Sequence, residues 1–175
     1  MRTLHNIDLK NNESGFTLRW QDRLILSHSA DAPCLWIGAG EADIEMFRGN
    51  FSIKDKLNEK IALTNATVTQ QSAGWAIRFT RGDAVSATLL VGVDGEGRLE
   101  LKLKNDAASH NRIWLRLAAQ PDDHIYGCGE QFSYFDLRGK PFPLWTSEQG
   151  VGRNKQTYVT WQADCKENAG GDYYW

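Results

Sequence analysis

The chain has 175 residues, 41% of them hydrophobic and 24% charged, which is the composition of an ordinary globular protein large enough for one domain with its own core. Its net charge of −2 favours neither nucleic acid nor an anionic membrane surface as a partner. No run approaches the roughly 18 apolar residues of a membrane helix, and the polar N-terminal residues lack the apolar centre of a signal peptide.

The first predicted elements form a β-hairpin. "GFTLRW" (Gly15–Trp20) alternates between apolar and polar residues, with Phe16, Leu18 and Trp20 on one face. "RLILSHS" (Arg23–Ser29) follows after only two residues, as the second strand of a hairpin does.

The next segment has a less regular pattern. "PCLWIGAG" (Pro33–Gly40) predicts a short apolar strand that its glycines end. The sequence from Glu45 to Asp55 predicts a further strand with a bulge at Arg48 and Gly49. The overlapping "FSIKDKLNEKIAL" (residues 51–63) is the segment that could instead hold one or two helical turns.

Five more strands are predicted before the chain changes character. They are Lys60–Gln71, Gly74–Arg81, Ala84–Asp94, Arg98–Asn105 and Asn111–Gln120, with glycine-bearing turns such as "SAG" and "GEG" between some of them. Their predicted inward faces carry Trp75, Ile77 and Phe79, then Leu99, Leu101 and Leu103, then Ile113, Leu115 and Leu117. Many short strands without a long helical stripe predict an all-β antiparallel sandwich in preference to a barrel.

The cysteines and histidines predict neither a disulfide framework nor a metal site. Three widely spaced cysteines (Cys34, Cys128, Cys165) favour reduced thiols and a cytoplasmic location. The four histidines show no metal-ligand spacing with one another or with the cysteines, so we expect no metal and no cofactor.

After residue 120 the regular alternation stops. Tyr126–Lys155 is rich in glycine and has no repeating period, and an ordered loop of this length is usually functional. Its carboxylates Glu130, Asp136 and Glu148 are candidates for the paired acids of a glycosidase. The alternative is that they hold the loop backbone or pair with nearby arginine and lysine side chains. "QTYVTWQ" (residues 156–162) returns to a strand pattern, and we expect the chain to end within a strand at Trp175.

The loop carries a resemblance to a known enzyme family. "IYGCGEQF", then "LRGK", then "PLWTSEQG" resembles the loop that closes the N-terminal domain of glycoside hydrolase family 31. The upstream segments "RLILSHS", "PCLWIG" and "DIEMFRGNFSIKDKL" are similar to its bacterial sulfoquinovosidase branch, so the resemblance extends from about Gly15 to Trp175.

The resemblance implies a fold and an activity. The fold would be the galactose-mutarotase-like β-supersandwich that precedes a (β/α)8 barrel, with residues 1–124 as the sandwich core, 125–155 as a pocket-facing loop and 156–175 as the start of returning strands. Members of the family are retaining α-glycosidases whose two catalytic aspartates lie on the barrel, and this branch hydrolyses α-sulfoquinovosides. We therefore expect no catalytic residue within these 175 residues, which would brace the barrel and shape the substrate pocket.

The same resemblance implies which loop residues lie near the substrate. Trp145, Glu148, Gln149 and Gly150 match the strand and acidic segment that approach the sugar. Glu130 and Arg138 are expected to organise the loop, through an ion pair or by capping backbone N–H groups, and the loop aromatics to anchor it on the sandwich.

Two other functions stay open on the sequence. Seven tryptophans in a β-sandwich are compatible with a stand-alone carbohydrate-binding module whose rings stack on sugars, or simply with a tryptophan-rich core. A non-catalytic interaction protein with a degenerate loop is the third possibility. The expected partner is a sugar substrate shared with the missing barrel, with no nucleic acid and no membrane.

Overall fold

A computed structural model describes residues 6–13, 15–47, 50–82, 85–106, 108–127 and 135–140. Within these ranges every regular element is a β-strand. The strands are β1 (Ile7–Asn12), β2 (Gly15–Trp20), β3 (Arg23–Ser29), β4 (Leu35–Phe47), β5 (Asn50–Ala62), β6 (Asn65–Gln71), β7 (Gly74–Arg81), β8 (Val85–Val93), β9 (Leu99–Asn105) and β10 (Arg112–Leu115). No helix in this part of the chain has the length and apolar character needed to cross a membrane.

The strands form three sheets. Their orders are β1-β2-β3, β10-β4-β5 and β6-β7-β8-β9. The first and third sheets are antiparallel meanders, and β10 also pairs antiparallel with β4. Among the ten strands of the described ranges, only the β10–β4 pairing joins strands that are distant in the sequence. The architecture is an antiparallel β-sandwich, which confirms the predicted fold class.

The predicted hairpin is confirmed residue by residue. β2 and β3 pair antiparallel from Gly15 to Trp20, with one register shift between Leu18 and Arg19. Gln21 and Asp22 connect them with φ angles of 48° and 65°, which are values of a type I′ turn that matches the twist of the two strands.

One hydrophobic core receives side chains from all three sheets. Phe16 of β2 packs edge-on against Phe79 of β7 with ring centroids 5.8 Å apart, and the ring of His28 stacks on Phe16 at 5.5 Å. Leu35 and Ile37 of β4 are fully buried in the same cluster. The core therefore confirms the predicted inward faces of β2 and β7 and adds β4 to them.

The glycines of β4 do not end the strand, contrary to the prediction. β4 has 13 residues in all, from Leu35 to Phe47, and so continues beyond Gly40. At Gly38 a Cβ atom would meet the Glu59 carbonyl oxygen and two ring carbons of Trp114, 2.9 and 3.0 Å away. Gly38 is needed because a neighbouring strand and a tryptophan ring approach its backbone closely, which is a recognised use of glycine inside a strand.

The predictions for residues 45–63 are also wrong. The segment from Glu45 to Asp55 is not one bulged strand, because β4 ends at Phe47 and β5 begins at Asn50. β5 then runs to Ala62 in place of the helical turns considered there. Arg48 and Gly49 lie outside the described residues. β-Pairing with β4 decides the conformation of this segment, whose own pattern is ambiguous.

Two further boundaries differ from the predictions. Lys60–Gln71 is divided between β5 and β6, because Leu63 leaves the strand to become fully buried and its N–H donates to the Leu35 carbonyl at 3.0 Å. β10 ends at Leu115, and Ile113 and Leu117 are 40% and 54% exposed instead of inward.

The chain divides into two compact units. The first unit takes the chain up to Glu41 together with Leu57–Ala119, and it contains the core cluster. The second unit takes Ala42–Lys56 together with the chain from Gln120 onward.

Candidate functional site

Within the predicted loop (residues 125–155) the structure describes residues 125–127 and 135–140, and residues 120–124 lead into the first of these in the same unit. The described chain therefore forms two short segments of the second unit, residues 120–127 and 135–140. They lie side by side, because the N–H of Leu137 donates to the Ile125 carbonyl at 2.8 Å. Leu137 is only 4% exposed. The second segment then turns through Gly139, whose φ of 70° suits a glycine, and the N–H of Lys140 donates to the Leu137 carbonyl at 3.0 Å.

The carboxylate of Asp136 holds these two segments together. Its Oδ1 accepts from the backbone N–H groups of Ile125 and Arg138 at 3.1 and 3.0 Å, and its Oδ2 accepts from Nδ1 of His124 at 2.7 Å. The hydrogen bond from His124 and then the two backbone donors lower the pKa of Asp136 to about 2. A carboxylate held in the ionised form by three donors cannot serve as a general acid near neutral pH.

Arg138 makes a second set of contacts across the loop. Its Nη1 donates to the carbonyl oxygens of Gln120 and Asp123, each at 2.6 Å. A hydrogen bond also lies within the first segment, where Oδ2 of Asp123 accepts from the N–H of Gln120 at 2.8 Å. The sequence predicts that Arg138 forms an ion pair or caps backbone N–H groups, whereas its described hydrogen bonds go to backbone carbonyl oxygens. Its role in organising the complete loop stays a prediction.

An exposed row of aromatic rings lies beside these contacts. His124 stacks on Tyr126 at a centroid distance of 5.9 Å, and Tyr126 lies 5.0 Å from Phe135. Tyr126 is 56% exposed and Phe135 is 88% exposed. These two rings are therefore not buried anchors of the loop, contrary to the prediction for the loop aromatics. Tyr126 and Phe135 therefore form an exposed aromatic surface on this segment.

The other predicted site residues lie outside the described residues. They are Glu130, Trp145, Glu148, Gln149 and Gly150. Their assignment as substrate-proximal or loop-organising residues stays a prediction, and Arg138 is the member of the predicted set whose contacts are seen.

The sequence contained a local signal for Asp136 but none for its partner His124. An aspartate that accepts from the N–H two residues later forms an Asx-turn, and "DLR" before a glycine is a sequence of that kind. The contact with His124 spans 12 residues and depends on how the loop folds back. The spacing of His124 relative to the other histidines and cysteines bears on metal binding and gives no indication that its ring donates to Asp136.

A second polar group lies in the core of the first unit. His28 is 3% exposed, its Nε2 lies 3.2 Å from the Thr64 carbonyl, and its Nδ1 accepts from the N–H of Cys34 at 3.3 Å. Burial lowers the pKa of His28 and raises the pKa of Cys34 to about 11. A neutral histidine with both ring nitrogens engaged, next to a protonated thiol, is a structural pair and not a nucleophile with its base.

No metal centre is formed by the part of the chain that the structure describes, where no three histidine, cysteine or carboxylate side chains converge.

Comparisons with known proteins give a consistent set of similarities. Residues 9–163 match the glycosyl hydrolase 31 N-terminal galactose mutarotase-like domain. The chain is 77% identical over 166 residues to a sulfoquinovosidase of Escherichia coli (strain K12), an alignment that covers 95% of this chain and 24% of that protein. It is 43% identical over 162 residues to a sulfoquinovosidase of Agrobacterium fabrum (strain C58), with 93% and 23% covered.

A solved structure is similar as well. It is a GH31 family sulfoquinovosidase from E. rectale in complex with the aza-sugar inhibitor IFGSQ. The TM-score is 0.70 and the sequence identity 40%, over 95% of this chain and 24% of that one. This chain spans about a quarter of the length of the curated relatives that it matches.

Proposed function

The chain belongs to the glycosyl hydrolase 31 family, as its N-terminal galactose mutarotase-like domain, and we propose that the full-length protein is a retaining α-glycosidase that hydrolyses α-sulfoquinovosides. The observation that carries the proposal is the 77% identity to a sulfoquinovosidase along 95% of the chain. This identity, together with the 43% identity to a second sulfoquinovosidase, supports an enzyme domain over a stand-alone carbohydrate-binding module.

In this proposal the 175 residues contribute architecture and not the catalytic groups. A retaining site needs two carboxyl groups about 5–5.5 Å apart on either side of the scissile bond. Asp136, the loop carboxylate that the structure describes, is occupied by His124 and two backbone donors. The catalytic pair is therefore proposed to lie in a barrel outside these residues, with the sandwich bracing that barrel.

The loop is proposed to shape the leaving-group side of the pocket. The hydrogen bonds of Asp136 and Arg138 keep residues 120–127 and 135–140 together, which supports a stiff base for the loop. From that base Trp145, Glu148, Gln149 and Gly150 would approach the sugar.

We also propose a cytoplasmic location. The proposal is based on the three widely spaced cysteines, of which Cys34 is a buried free thiol, because reduced thiols are typical of cytoplasmic proteins.

The activity is tested with two chromogenic glycosides. We expect the full-length protein to hydrolyse 4-nitrophenyl α-sulfoquinovoside in preference to 4-nitrophenyl α-glucoside, and the 175-residue chain alone to release no nitrophenol. Absorbance of the released nitrophenol measures both rates. Preference for the glucoside would contradict the proposed substrate, and turnover by the short chain would contradict the proposed division between sandwich and barrel.

The loop assignment is tested at Glu148. In the full-length protein we expect Glu148→Gln to raise KM for the sulfoquinovoside about tenfold with a smaller change in kcat, because the residue is proposed to bind the sugar and not to react. Glu96→Gln, in the exposed turn between β8 and β9, is the matched control and should leave both constants unchanged. An unchanged KM in the Glu148 variant would remove this residue from the substrate site.

A further inference from the structure

The outward face of the β10–β4 pair carries two tryptophans side by side. Trp114 lies directly opposite Trp36 in the antiparallel register. Their neighbours Leu35 and Ile37 are fully buried in the core, so the tryptophans lie on the other face of this sheet. Both tryptophans are only partly buried, which leaves part of each ring accessible to solvent.

Gly38 makes room for this tryptophan pair. It is the next outward position on β4 after Trp36, and the six-membered part of the Trp114 ring lies against its backbone. An alanine at this position would place its methyl group 2.9 Å from that ring. The glycine therefore lets the Trp114 ring approach the sheet instead of standing away from it.

Two cationic side chains lie over the rings. Nζ of Lys60 is 4.5 Å from the ring centroid of Trp114 and 5.5 Å from that of Trp36. The guanidinium carbon of Arg116 is 5.5 Å from the ring centroid of Trp36. Both cations are exposed. Their long side chains can move aside at small cost, since cation–π contacts at exposed positions are weak.

The two cations have no anionic partner in the part of the chain that is described. Neither Lys60 nor Arg116 forms an ion pair with a carboxylate there, and Nη2 of Arg116 donates instead to the Ala32 carbonyl at 3.2 Å. The surface made of Trp36, Lys60, Trp114 and Arg116, called here the tryptophan–cation surface, thus combines aromatic rings with positive charge in a protein of net charge −2.

We propose that the tryptophan–cation surface binds an anionic pyranoside. The apolar face of a pyranose ring packs on an indole ring, while Lys60 and Arg116 donate to a carboxylate or sulfonate on the same sugar. The charge of the surface is complementary to such a ligand. Two indoles with two cations are sufficient to contact one pyranose ring and its acid group. The inference does not depend on the proposed hydrolytic activity.

Binding is measured by calorimetry on the full-length protein with three small glycosides. They are methyl β-D-glucuronoside, which carries a carboxylate, methyl β-D-sulfoquinovoside, which carries a sulfonate, and the neutral methyl β-D-glucoside. The β-anomers are chosen because the proposed α-glycosidase would not hydrolyse them. We expect at least one anionic glycoside to bind about tenfold or more tightly than the neutral one, and its binding to weaken as salt is added. The tighter of the two anionic ligands identifies the preferred acid group.

Charge-removing variants locate the binding. We expect the double variant Lys60→Gln/Arg116→Gln to lose about tenfold or more in affinity for the anionic glycoside. The matched control is Arg78→Gln/Lys104→Gln. These two exposed cations flank Thr88 on the third sheet, without a tryptophan at the adjoining register position, and their removal should leave the affinity unchanged. Because all four side chains are exposed, neither double variant should alter the fold.

A stacking variant completes the test. Trp36→Ala should weaken binding of the anionic glycoside while its thermal melt stays cooperative. The proposal is overturned if no anionic glycoside binds, if the neutral sugar binds equally well, or if both double variants retain or lose the affinity alike. Because the β-anomers are not substrates of an α-glycosidase, none of these results depends on whether the full-length protein hydrolyses α-sulfoquinovosides, and the double variants separate binding at this surface from binding at a catalytic pocket.

Discussion

At the scale of single residues, the loop carboxylate Asp136 illustrates how its surroundings decide what a titratable group can do. In the sequence it stood beside Glu130 and Glu148 as a possible glycosidase acid. In the structure its oxygens accept from His124, Ile125 and Arg138, and these donors stabilise the ionised form. Asp136 therefore holds the loop backbone. This is the second of the two roles that the sequence left open for the loop carboxylates, the first being that of a glycosidase acid.

The pKa of Asp136 leads to a pH prediction. It is about 2 in the folded loop against the ordinary 3.8, so the ionised form is favoured by folding. The stability that the carboxylate contributes to the loop is present above about pH 4 and is lost as the pH falls through about 2. Carbon-13 NMR of the Asp136 carboxyl should therefore show a titration midpoint near 2.

The matched control for this titration is a second aspartate in a turn. Oδ1 of Asp94 accepts from the N–H groups of Glu96 and Arg98, and hydrogen bonds from Arg98 are the main cause that lowers its pKa to about 2. Asp136→Asn should remove one low-pH titration and leave that of Asp94, and Asp94→Asn should do the reverse. A midpoint near 3.8 for Asp136 would mean that its three hydrogen bonds are not formed in solution.

At the scale of elements, the alternation of the strands predicted which residues enter the core. Leu99, Leu101 and Leu103 of β9 pack against the core as expected, because a strand that is covered on one face must place apolar residues at every second position. The pattern gave a wrong strand end at Gly38, which lies inside β4. A glycine inside a paired strand and a glycine that ends a strand cannot be distinguished in the sequence.

Two adjacent leucines of β8 test this element directly. Leu89 is fully buried and Leu90 is 37% exposed, although both are leucines of one strand. We expect Leu89→Ala to lower the free energy of unfolding by roughly 2–5 kcal/mol, because it leaves a cavity in the core. We expect Leu90→Ala to lower it by no more than about 1 kcal/mol. Urea denaturation measures both, and equal losses would contradict the side-chain directions assigned to β8.

At the scale of the whole molecule, the relevant fact is that the chain spans about a quarter of the length of its relatives. In the proposed full-length enzyme, a barrel packs against this domain. Ile125, Tyr126 and Phe135 are apolar or aromatic side chains that are at least half exposed in the described part of the loop. Exposed apolar groups of this kind promote aggregation when no other surface covers them.

We therefore expect the 175-residue chain to self-associate when it is produced alone. Analytical ultracentrifugation over a range of concentrations should show species larger than the monomer. Phe135→Ser, which removes the most exposed of these rings, should shift the distribution toward monomer, and Leu90→Ser on the third sheet should not. A monodisperse monomer at high concentration would contradict the missing-partner interpretation.

The sequence by itself determined the all-β class, most strand positions, the hairpin of β2 and β3, and the family, because alternation, turn residues and motif order are local properties of the chain. Only the tertiary structure decided that β10 pairs with β4 across more than 60 intervening residues, that Trp36 and Trp114 meet there, and that Asp136 receives a donor from His124. These contacts depend on how distant surfaces fit together, and the packing energy that selects them is not encoded in any short segment.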